Sequence, residues 1–210
     1  MKRTATIWMV VIAVYAAFLV WHQPLRGPLT EQEVHAAFGD RYSPMRAAED
    51  GRAAALIDFF LSDDGRPFFM INLNALPEHT AHTQKAERAY ASYMAPRLLS
   101  RASYPVLSIE PIVTLNNTLG ADLEAIERLI VVRYRSRRDF LEIIATDEFR
   151  DAVEHKSVSL DGWYSAPASV KPVVSLPQLI LILLVAVGLI GSWLSRQTRP
   201  RTAREGEVQG

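Results

Sequence analysis

Two apolar segments without charged residues flank a more polar central region in this chain of 210 residues. The first covers Ala5 to Trp21 and the second covers Val173 to Leu194, and neither contains Asp, Glu, Lys or Arg. A helix needs roughly 20 mostly apolar residues to cross the hydrocarbon core of a bilayer. We therefore predict transmembrane helices over residues 5–22 and 173–194, with a water-exposed domain between them.

The charges outside the apolar segments predict an orientation. Lys2 and Arg3 precede the first segment, four arginines lie in residues 195–210, and residues 22–173 contain 17 Lys+Arg against 21 Asp+Glu, a net charge of −4. Lys and Arg near the ends of membrane spans tend to stay in the cytoplasm. We expect both tails, residues 1–4 and 195–210, to be cytoplasmic. The central domain is then periplasmic or extracellular, with a bacterial inner membrane as the expected location.

A cleaved signal peptide is the alternative interpretation of the first segment. It has a charged start and an apolar run, as signal peptides do, but no small-x-small cleavage site precedes the bulky stretch Phe18–His22. We favour an uncleaved anchor. The chain contains no cysteine, so disulfide usage says nothing about the compartment.

The central region divides into a helical extension and a domain of mixed structure. Residues 23–67 form the extension, which we interpret as a spacer or packing collar. Within it, Thr30 and Glu33 have the spacing of a capping box that opens a short helix, and Gly39 ends that helix. A longer helix is predicted over residues 44–61.

Residues 68–170 alternate between strand and helix patterns. Strands are predicted over 68–76, 106–115, 129–134 and 162–166, and helices over 80–100 and 136–160. On the first helix, Ala86, Tyr90, Tyr93 and Arg97 recur at helical spacing and predict one buried stripe. Ser136 with Asp139 resembles a capping box at the start of the second helix, which breaks near Thr146, a residue that can cap the new turn. The order β-α-β-β-α-β is that of a ferredoxin-like α+β domain. With both helices on one face of the sheet, the other face needs cover, and a second copy is the usual one. We therefore expect a homodimer through the sheet face.

Several segments together resemble a known family. They are Met70–Asn74, Ala86–Tyr93 with Pro96, Val131–Arg137, the broken helix with Phe149, and Ser165–Pro167. This combination is similar to domain of unknown function 1330, a family of the dimeric α+β-barrel superfamily. The resemblance implies the fold and the dimer but not an activity, because fold does not fix function. The chain departs from the family in its apolar segments, its helical extension, its Tyr-Arg-Ser-Arg-Arg junction and Lys156, where an arginine is expected.

Strand alternation selects the candidate ligand-binding residues. If the wholly apolar sets Phe69-Ile71-Leu73 and Ile130-Val132-Tyr134 pack under the helices, polar side chains are left on the other face. These candidates are Asn72, Asn74, Glu110, Arg133 and Arg135, together with Ser108. Polar groups that converge in an enclosed space form a ligand pocket. The alternative is a hydrogen-bonded dimer seam in which Arg133 pairs with Glu110.

The densest local charge lies where the third strand meets the next helix. Cations at a helix N-terminus oppose the helix dipole, so Arg137 and Arg138 need another reason to be there. One reason is an anion held by Ser136, Arg137, Arg138 and free backbone N–H groups. The other is a solvated face balanced by neighbouring acidic residues.

Two classes of function follow from these patterns. The first is a membrane-anchored module that dimerises and binds a small ligand. The second is a cofactor-independent enzyme of the oxygenase or isomerase type. We expect no cofactor and no metal, with His79, His82 and His155 at the surface. The net charge of −4 gives no support for nucleic-acid binding, so the expected partners are the membrane, a second copy and a small molecule.

Overall fold

The computed structural model describes residues 2–49, 51–111, 126–170 and 175–197. The chain divides into a terminal unit, residues 1–21 and 171–210, and a central unit, residues 22–170. In chain order the elements are α1 (Lys2–His22), α2 (Glu31–Phe38), a 3₁₀ turn (Gly39–Arg41), α3 (Tyr42–Arg46), α4 (Arg52–Leu61), β1 (Phe68–Ala75), α5 (Ala81–Ser100), β2 (Tyr104–Ile109), β3 (Arg128–Tyr134), α6 (Arg137–Ile144), α7 (Asp147–Ser159), β4 (Gly162–Ala168) and α8 (Leu176–Gln197). The predicted strand over 106–115 lies outside the described residues beyond position 111, as does most of the C-terminal tail.

The terminal unit contains two helices that are long and apolar enough to cross a membrane. The stretches Arg3–His22 and Leu176–Gln197 have mean hydropathies of 2.1 and 2.2. The coarse prediction of two candidate spans is therefore confirmed by length and composition. A signal sequence also meets these length and hydropathy criteria, so a cleaved signal peptide remains the alternative for the first segment.

Within the terminal unit, α1 and α8 pack as an antiparallel pair. The hydroxyl oxygens of Thr4 and Ser195 lie 3.5 Å apart, and the Tyr15 hydroxyl donates to the carbonyl oxygen of Pro177 at 3.4 Å. Between these contacts the ring of Trp8 lies against Gly188, where an added Cβ would come within 3.0 Å of the ring. The missing side chain at Gly188 thus makes room for the indole.

The central unit is built on a four-stranded antiparallel sheet in the order β2-β3-β1-β4. The two inner strands pair with Phe68 opposite Tyr134 and Asn74 opposite Arg128. On the outer side of β1, Asn72 lies opposite Ser165 of β4. The coarse prediction of an α+β domain with an antiparallel sheet is confirmed.

One face of the sheet is covered by α5 and α7, and the assignment of β1 side chains to this face was wrong. Directly opposed residues share a face, so Phe68, Met70, Asn72 and Asn74 lie on the same side as Tyr134. This is the helix-covered side, because Met70 and Tyr134 pack into the core with Met94 of α5. The prediction placed Ile71 and Leu73 there instead. On β3 the prediction was correct, since Val132 and Tyr134 lie under the helices.

The physical reason lies in an aromatic cluster that fixes the pleat of β1. Phe68 stacks on Tyr134 with ring centroids 5.1 Å apart and 8° between the ring planes. Phe140 meets both rings edge-on, at 5.7 Å from Phe68 and 4.8 Å from Tyr134. Once Phe68 faces inward, the period of two brings Asn72 and Asn74 under the helices as well.

The helical extension shares this core. Its buried residues Val34, Ile57 and Phe60 belong to the same hydrophobic cluster as Phe68 and Leu141. The capping box of Thr30 and Glu33 is present at the start of α2. The single helix predicted over 44–61 is instead two helices, because Gly51 adopts a left-handed φ of 67° before α4.

Candidate functional site

A cavity of about 160 Å³ lies between the sheet and the helix layer of the central unit. Side chains of β1 and β3 form its floor, and α5 and the C-terminal part of α7 form its walls. Its lining residues are Asn72, Asn74, Glu87, Tyr90, Met94, Leu98, Arg128, Ile130, Val132, Tyr134, Lys156, Ser159 and Leu160. A largely apolar cavity with a few inward polar groups is typical of a small-molecule site.

Asn74 is the polar group on the cavity floor that the protein leaves unsatisfied. Its side chain is buried, and its Oδ1 has no hydrogen-bond partner among the described residues. Asn72 differs, since its Oδ1 accepts from the Ser165 hydroxyl at 2.8 Å and its Nδ2 donates to two backbone carbonyl oxygens at 3.4 Å. A buried acceptor without a donor is costly, so Asn74 is the better candidate for contact with a ligand.

Lys156 brings a positive charge into the cavity from α7. Its Nζ lies 5.1 Å from the ring centroid of Trp163 and 5.8 Å from that of Tyr90. None of the ion pairs between described residues includes this lysine. Burial lowers the pKa of Lys156 to about 8. The amine is therefore mainly protonated at pH 7, and an appreciable fraction is neutral.

Two phenols complete the polar lining. Burial raises the pKa of Tyr90 to about 12, and it raises the pKa of Tyr134 further above the usual value of a tyrosine. Both rings are therefore neutral at physiological pH, and each hydroxyl is a potential hydrogen-bond donor.

Arg128 lines the cavity and forms ion pairs with two carboxylates. Its guanidinium donates to Glu87 at 2.9 Å and to Glu110 at 3.1 Å. Glu110 was predicted to pair with Arg133 in a dimer seam, and this pairing is wrong. Arg128 takes that place because it lies on the helix-covered face, whereas Arg133 lies on the other.

Arg133 is separated from the two asparagines by the sheet itself. It lies opposite Phe69, on the face that α5 and α7 do not cover. Its side chain is buried, donates to the carbonyl oxygens of Ala102 at 2.8 Å and of His22 at 3.3 Å, and lies near the Tyr104 ring. The predicted convergence of Asn72, Asn74 and Arg133 on one face is therefore wrong. Ser108 lies opposite Ile130, on the helix-covered face.

Arg135 binds Asp139 of α6 and is not among the residues that line the cavity. Its Nε and one terminal nitrogen each donate to a carboxylate oxygen of Asp139 at 2.8 Å. Ser136 caps the same helix, because its hydroxyl accepts from the backbone N–H of Asp139 at 3.0 Å and donates to its carboxylate at 2.8 Å. The capping role predicted for Ser136 with Asp139 is confirmed.

Arg137 and Arg138 bind residues of the helical extension through hydrogen bonds and an ion pair. Arg137 donates to the Ser62 hydroxyl at 2.8 Å and lies 4.5 Å above the Phe59 ring. Arg138 pairs with Glu33 and donates to the carbonyl oxygen of Pro28 at 3.0 Å. These contacts engage both guanidinium groups with the extension, and anion binding by Ser136, Arg137 and Arg138 stays a prediction.

The cavity residues that sequence reasoning missed carried a weak signal. Ala152, Lys156 and Ser159 follow one another at spacings of four and three, which places them on one face of a helix. Ala152 and Ser159 are buried, so a lysine between them on that face has to point inward. Tyr90 was assigned to a buried stripe of α5, but its place beside a cavity depends on the sheet register.

Comparisons with known proteins assign no activity. No protein-family model matches the chain, and no curated protein matches it. Among solved structures, the chain is similar to RPA0582, a protein of unknown function from Rhodopseudomonas palustris, with 21% identity, a TM-score of 0.47, and coverage of 57% of this chain and 94% of that one. The structure of methylated RPA0582 gives 19% identity, a TM-score of 0.48, and coverage of 58% and 93%.

Proposed function

We propose that this protein is a membrane-anchored module whose α+β domain dimerises and binds a small organic molecule. The observation that carries the proposal is the cavity between the sheet and the helix layer. It joins apolar walls to a buried acceptor on Asn74 and to the ammonium of Lys156, which forms no ion pair within the described part of the chain. Such groups are costly in an empty apolar space, and a ligand that engages them removes the cost.

The arrangement of the strands supports a ferredoxin-like fold and the dimeric α+β-barrel superfamily. The strands follow the order β-α-β-β-α-β along the chain, with the second helix split into α6 and α7. In the sheet, the first and third strands are central and the second and fourth are at the edges. Together with the segments that resemble domain of unknown function 1330, this favours membership of that family.

Homodimerisation is supported by the face of the sheet opposite α5 and α7. Leu107, Ile109 and Tyr164 of the edge strands belong to this face and are 46%, 44% and 60% exposed. Ile71 and Val131 lie between them on the central strands. A contiguous apolar patch of this kind marks an interaction surface, and a second copy presents a matching patch through a twofold axis.

Membrane anchoring is supported by the antiparallel pairing of α1 and α8. If both helices cross the bilayer, this pairing brings residues 1–4 and 195–210 to one side, and the basic character of those tails favours the cytoplasm. The central unit then lies on the opposite side, in the periplasm of a bacterium. Accessibility of single cysteines introduced at Thr4 and Ser165 to an impermeant thiol reagent tests this topology, because the chain has no cysteine of its own.

Native mass spectrometry of the full chain in nanodiscs tests the central proposal. We expect a dimer that carries a reproducible extra mass, released when the central unit unfolds. A dimer without any extra mass, which also takes up none of a library of small organic compounds, would contradict ligand binding. A monomer would contradict the dimer while leaving the cavity open to test.

A cofactor-independent enzyme is the second candidate, and Lys156 is the observation that favours it. An amine with a pKa of about 8 that lines this cavity is suited to general-base chemistry near neutral pH. Turnover of a compound identified by its mass in the cavity, with loss of turnover and retained binding in Lys156→Gln, would support an enzyme over a binding module.

A further inference from the structure

Lys156 has no counter-charge in the part of the chain that the structure describes. Among the charged and titratable groups of the elements around it, Arg128 is held by Glu87 and Glu110. Tyr90 and Tyr134 are neutral at physiological pH because burial raises the pKa of both. Aromatic rings attract a cation but do not neutralise it. Within the described residues, the ammonium therefore faces the cavity without an ion-pair partner.

We propose that the cavity binds small monocarboxylic acids, with the carboxylate on the Lys156 ammonium and the apolar body against Met94, Leu98 and Val132. This inference rests on the proposed ligand-binding function and names its ligand class. A charge-assisted hydrogen bond between an ammonium and a carboxylate is stronger than a neutral one. A carboxylate also supplies the ion-pair partner that the described residues do not give Lys156.

The remaining lining groups fit the same class of ligand. The unsatisfied Oδ1 of Asn74 accepts from a hydroxyl or amide N–H on the body of the acid. The hydroxyls of Tyr90 and Tyr134 can donate to a second carboxylate oxygen. A cationic ligand would instead meet Lys156 with like charge, and a dicarboxylate would leave its second charge against apolar walls. The volume of about 160 Å³ is enough for a body of roughly the size of a phenyl ring or a short alkyl chain.

Calorimetric titration of the full chain in detergent with benzoate, and separately with benzyl alcohol, tests the proposal. The two probes share an apolar ring and differ in charge. At pH 7 we expect benzoate to bind at least about ten-fold more tightly than benzyl alcohol, since only the carboxylate forms an ion-paired hydrogen bond with the ammonium. Benzoate affinity should fall as the pH rises through about 8 and Lys156 loses its proton.

Lys156→Met, with Lys85→Met as the matched control, identifies the residue responsible. Lys85 is exposed on α5, so its loss should leave benzoate affinity unchanged. Lys156→Met should reduce benzoate affinity at least about ten-fold and leave benzyl alcohol binding unaffected. Because a variant can fail to fold, benzoate protection of Lys156 against amine labelling in the unmodified chain, read by mass spectrometry with Lys85 as reference, gives an independent measurement.

The outcomes separate this inference from the proposed function. Equal affinity for both probes, or benzoate affinity unchanged in Lys156→Met, would overturn the carboxylate assignment and leave a neutral-ligand cavity. If neither probe binds and native mass spectrometry finds no extra mass, the ligand-binding function itself fails. Selective benzoate binding with protection of Lys156 supports both.

Discussion

Asn72 and Asn74 lie two residues apart on the same face of β1, yet their amides are in opposite situations. Asn72 is engaged by Ser165 and by backbone carbonyl groups, whereas Asn74 Oδ1 has no partner among the described residues. An unsatisfied amide in a buried position lowers stability, and a hydrogen-bonded one does not. The pair therefore separates an amide that the fold uses from one that is available to the proposed ligand.

We predict that Asn74→Leu raises the free energy of unfolding by about 1 kcal/mol, since it replaces a desolvated amide with an apolar side chain of similar volume. Asn72→Leu is the matched control and should lower it by about 0.5 to 1.5 kcal/mol, because the hydrogen bonds of the Asn72 amide with Ser165 and two backbone carbonyl groups are lost. Urea denaturation followed by near-ultraviolet circular dichroism measures both. An equal loss of stability in the two variants would show that Asn74 has a partner in the fold.

The same strand shows why residue placement was only partly predictable. β1 has large apolar side chains on both faces, Phe68 and Met70 on one and Phe69, Ile71 and Leu73 on the other. Alternation separates the two sets but does not say which set the helices cover. That choice depends on the stack of Phe68 on Tyr134, a contact between residues far apart in sequence. On β3 the polar Arg133 interrupts one face, so alternation there gave the correct answer.

Asp139 of α6 is a buried carboxylate that binds two arginines and a serine. It is buried and accepts hydrogen bonds from Arg135 and Ser136, while the exposed Arg26 approaches it at 3.4 Å. Burial alone raises the pKa of Asp139, but the hydrogen bonds from Arg135 and Ser136 outweigh it and hold the pKa below its usual value. A carboxylate whose pKa is lower in the folded state stabilises the fold wherever it is ionised.

We predict that Asp139→Asn lowers the free energy of unfolding by about 1.5 to 3 kcal/mol at pH 6. Asp58→Asn is the control, because its pair with Arg46 is exposed and should contribute less than about 1 kcal/mol. The stabilisation by Asp139 is fully present above the unfolded pKa of about 3.9 and is lost as the pH falls through the lower folded value. Urea denaturation at pH 6 and pH 3 should therefore show a smaller difference between wild type and Asp139→Asn at pH 3. A constant difference would contradict the assignment.

The packing of α1 against α8 depends on Gly188. A larger side chain at position 188 would clash with the Trp8 ring. Helix pairs in membranes rely on small residues for close approach. Cysteines placed at Thr4 and Ser195, whose hydroxyls lie 3.5 Å apart, should form a disulfide in the otherwise cysteine-free chain. We predict that Gly188→Leu lowers the yield of this disulfide at least about two-fold. Val187→Leu on the exposed side of α8 is the control, and equal yields would contradict the packing.

Among the secondary-structure elements, helix starts were predicted correctly where a single capping residue determines them. The starts of α2, α6 and α7 were each predicted from a capping residue, and each cap is present. The pattern of β1 and α5 predicted their bounds to within a residue or so. The extension was harder, because the apolar positions of residues 44–61 fit one helix as well as two. The left-handed conformation of Gly51 decides between them, and glycine permits that conformation without requiring it.

For the whole molecule, the sequence predicted two candidate spans around an α+β domain, and it also predicted that the domain would need a partner for one sheet face. Asn72 and Asn74 were among the predicted pocket residues and line the candidate cavity. Its position under the helices was not predicted, since it forms where α5, α7, β1 and β3 meet and its residues are far apart in sequence. The sheet face opposite the cavity is apolar and exposed in the single chain, which is unusual for a domain that works alone. A partner on this face would account for that exposure.

Leu107→Glu tests whether this face holds two copies together. Leu107 lies opposite Val131 on the uncovered face, and a carboxylate there would lose its water if a second copy buried it. We predict that Leu107→Glu raises the dimer dissociation constant by about ten-fold or more. Analytical ultracentrifugation of the full chain in detergent measures this constant. Val158→Glu is the control, since Val158 is comparably exposed on α7, away from this face, and should leave the dimer intact. Equal dimer stability in both variants would mean that the copies meet elsewhere, and the apolar sheet face would then need a different partner.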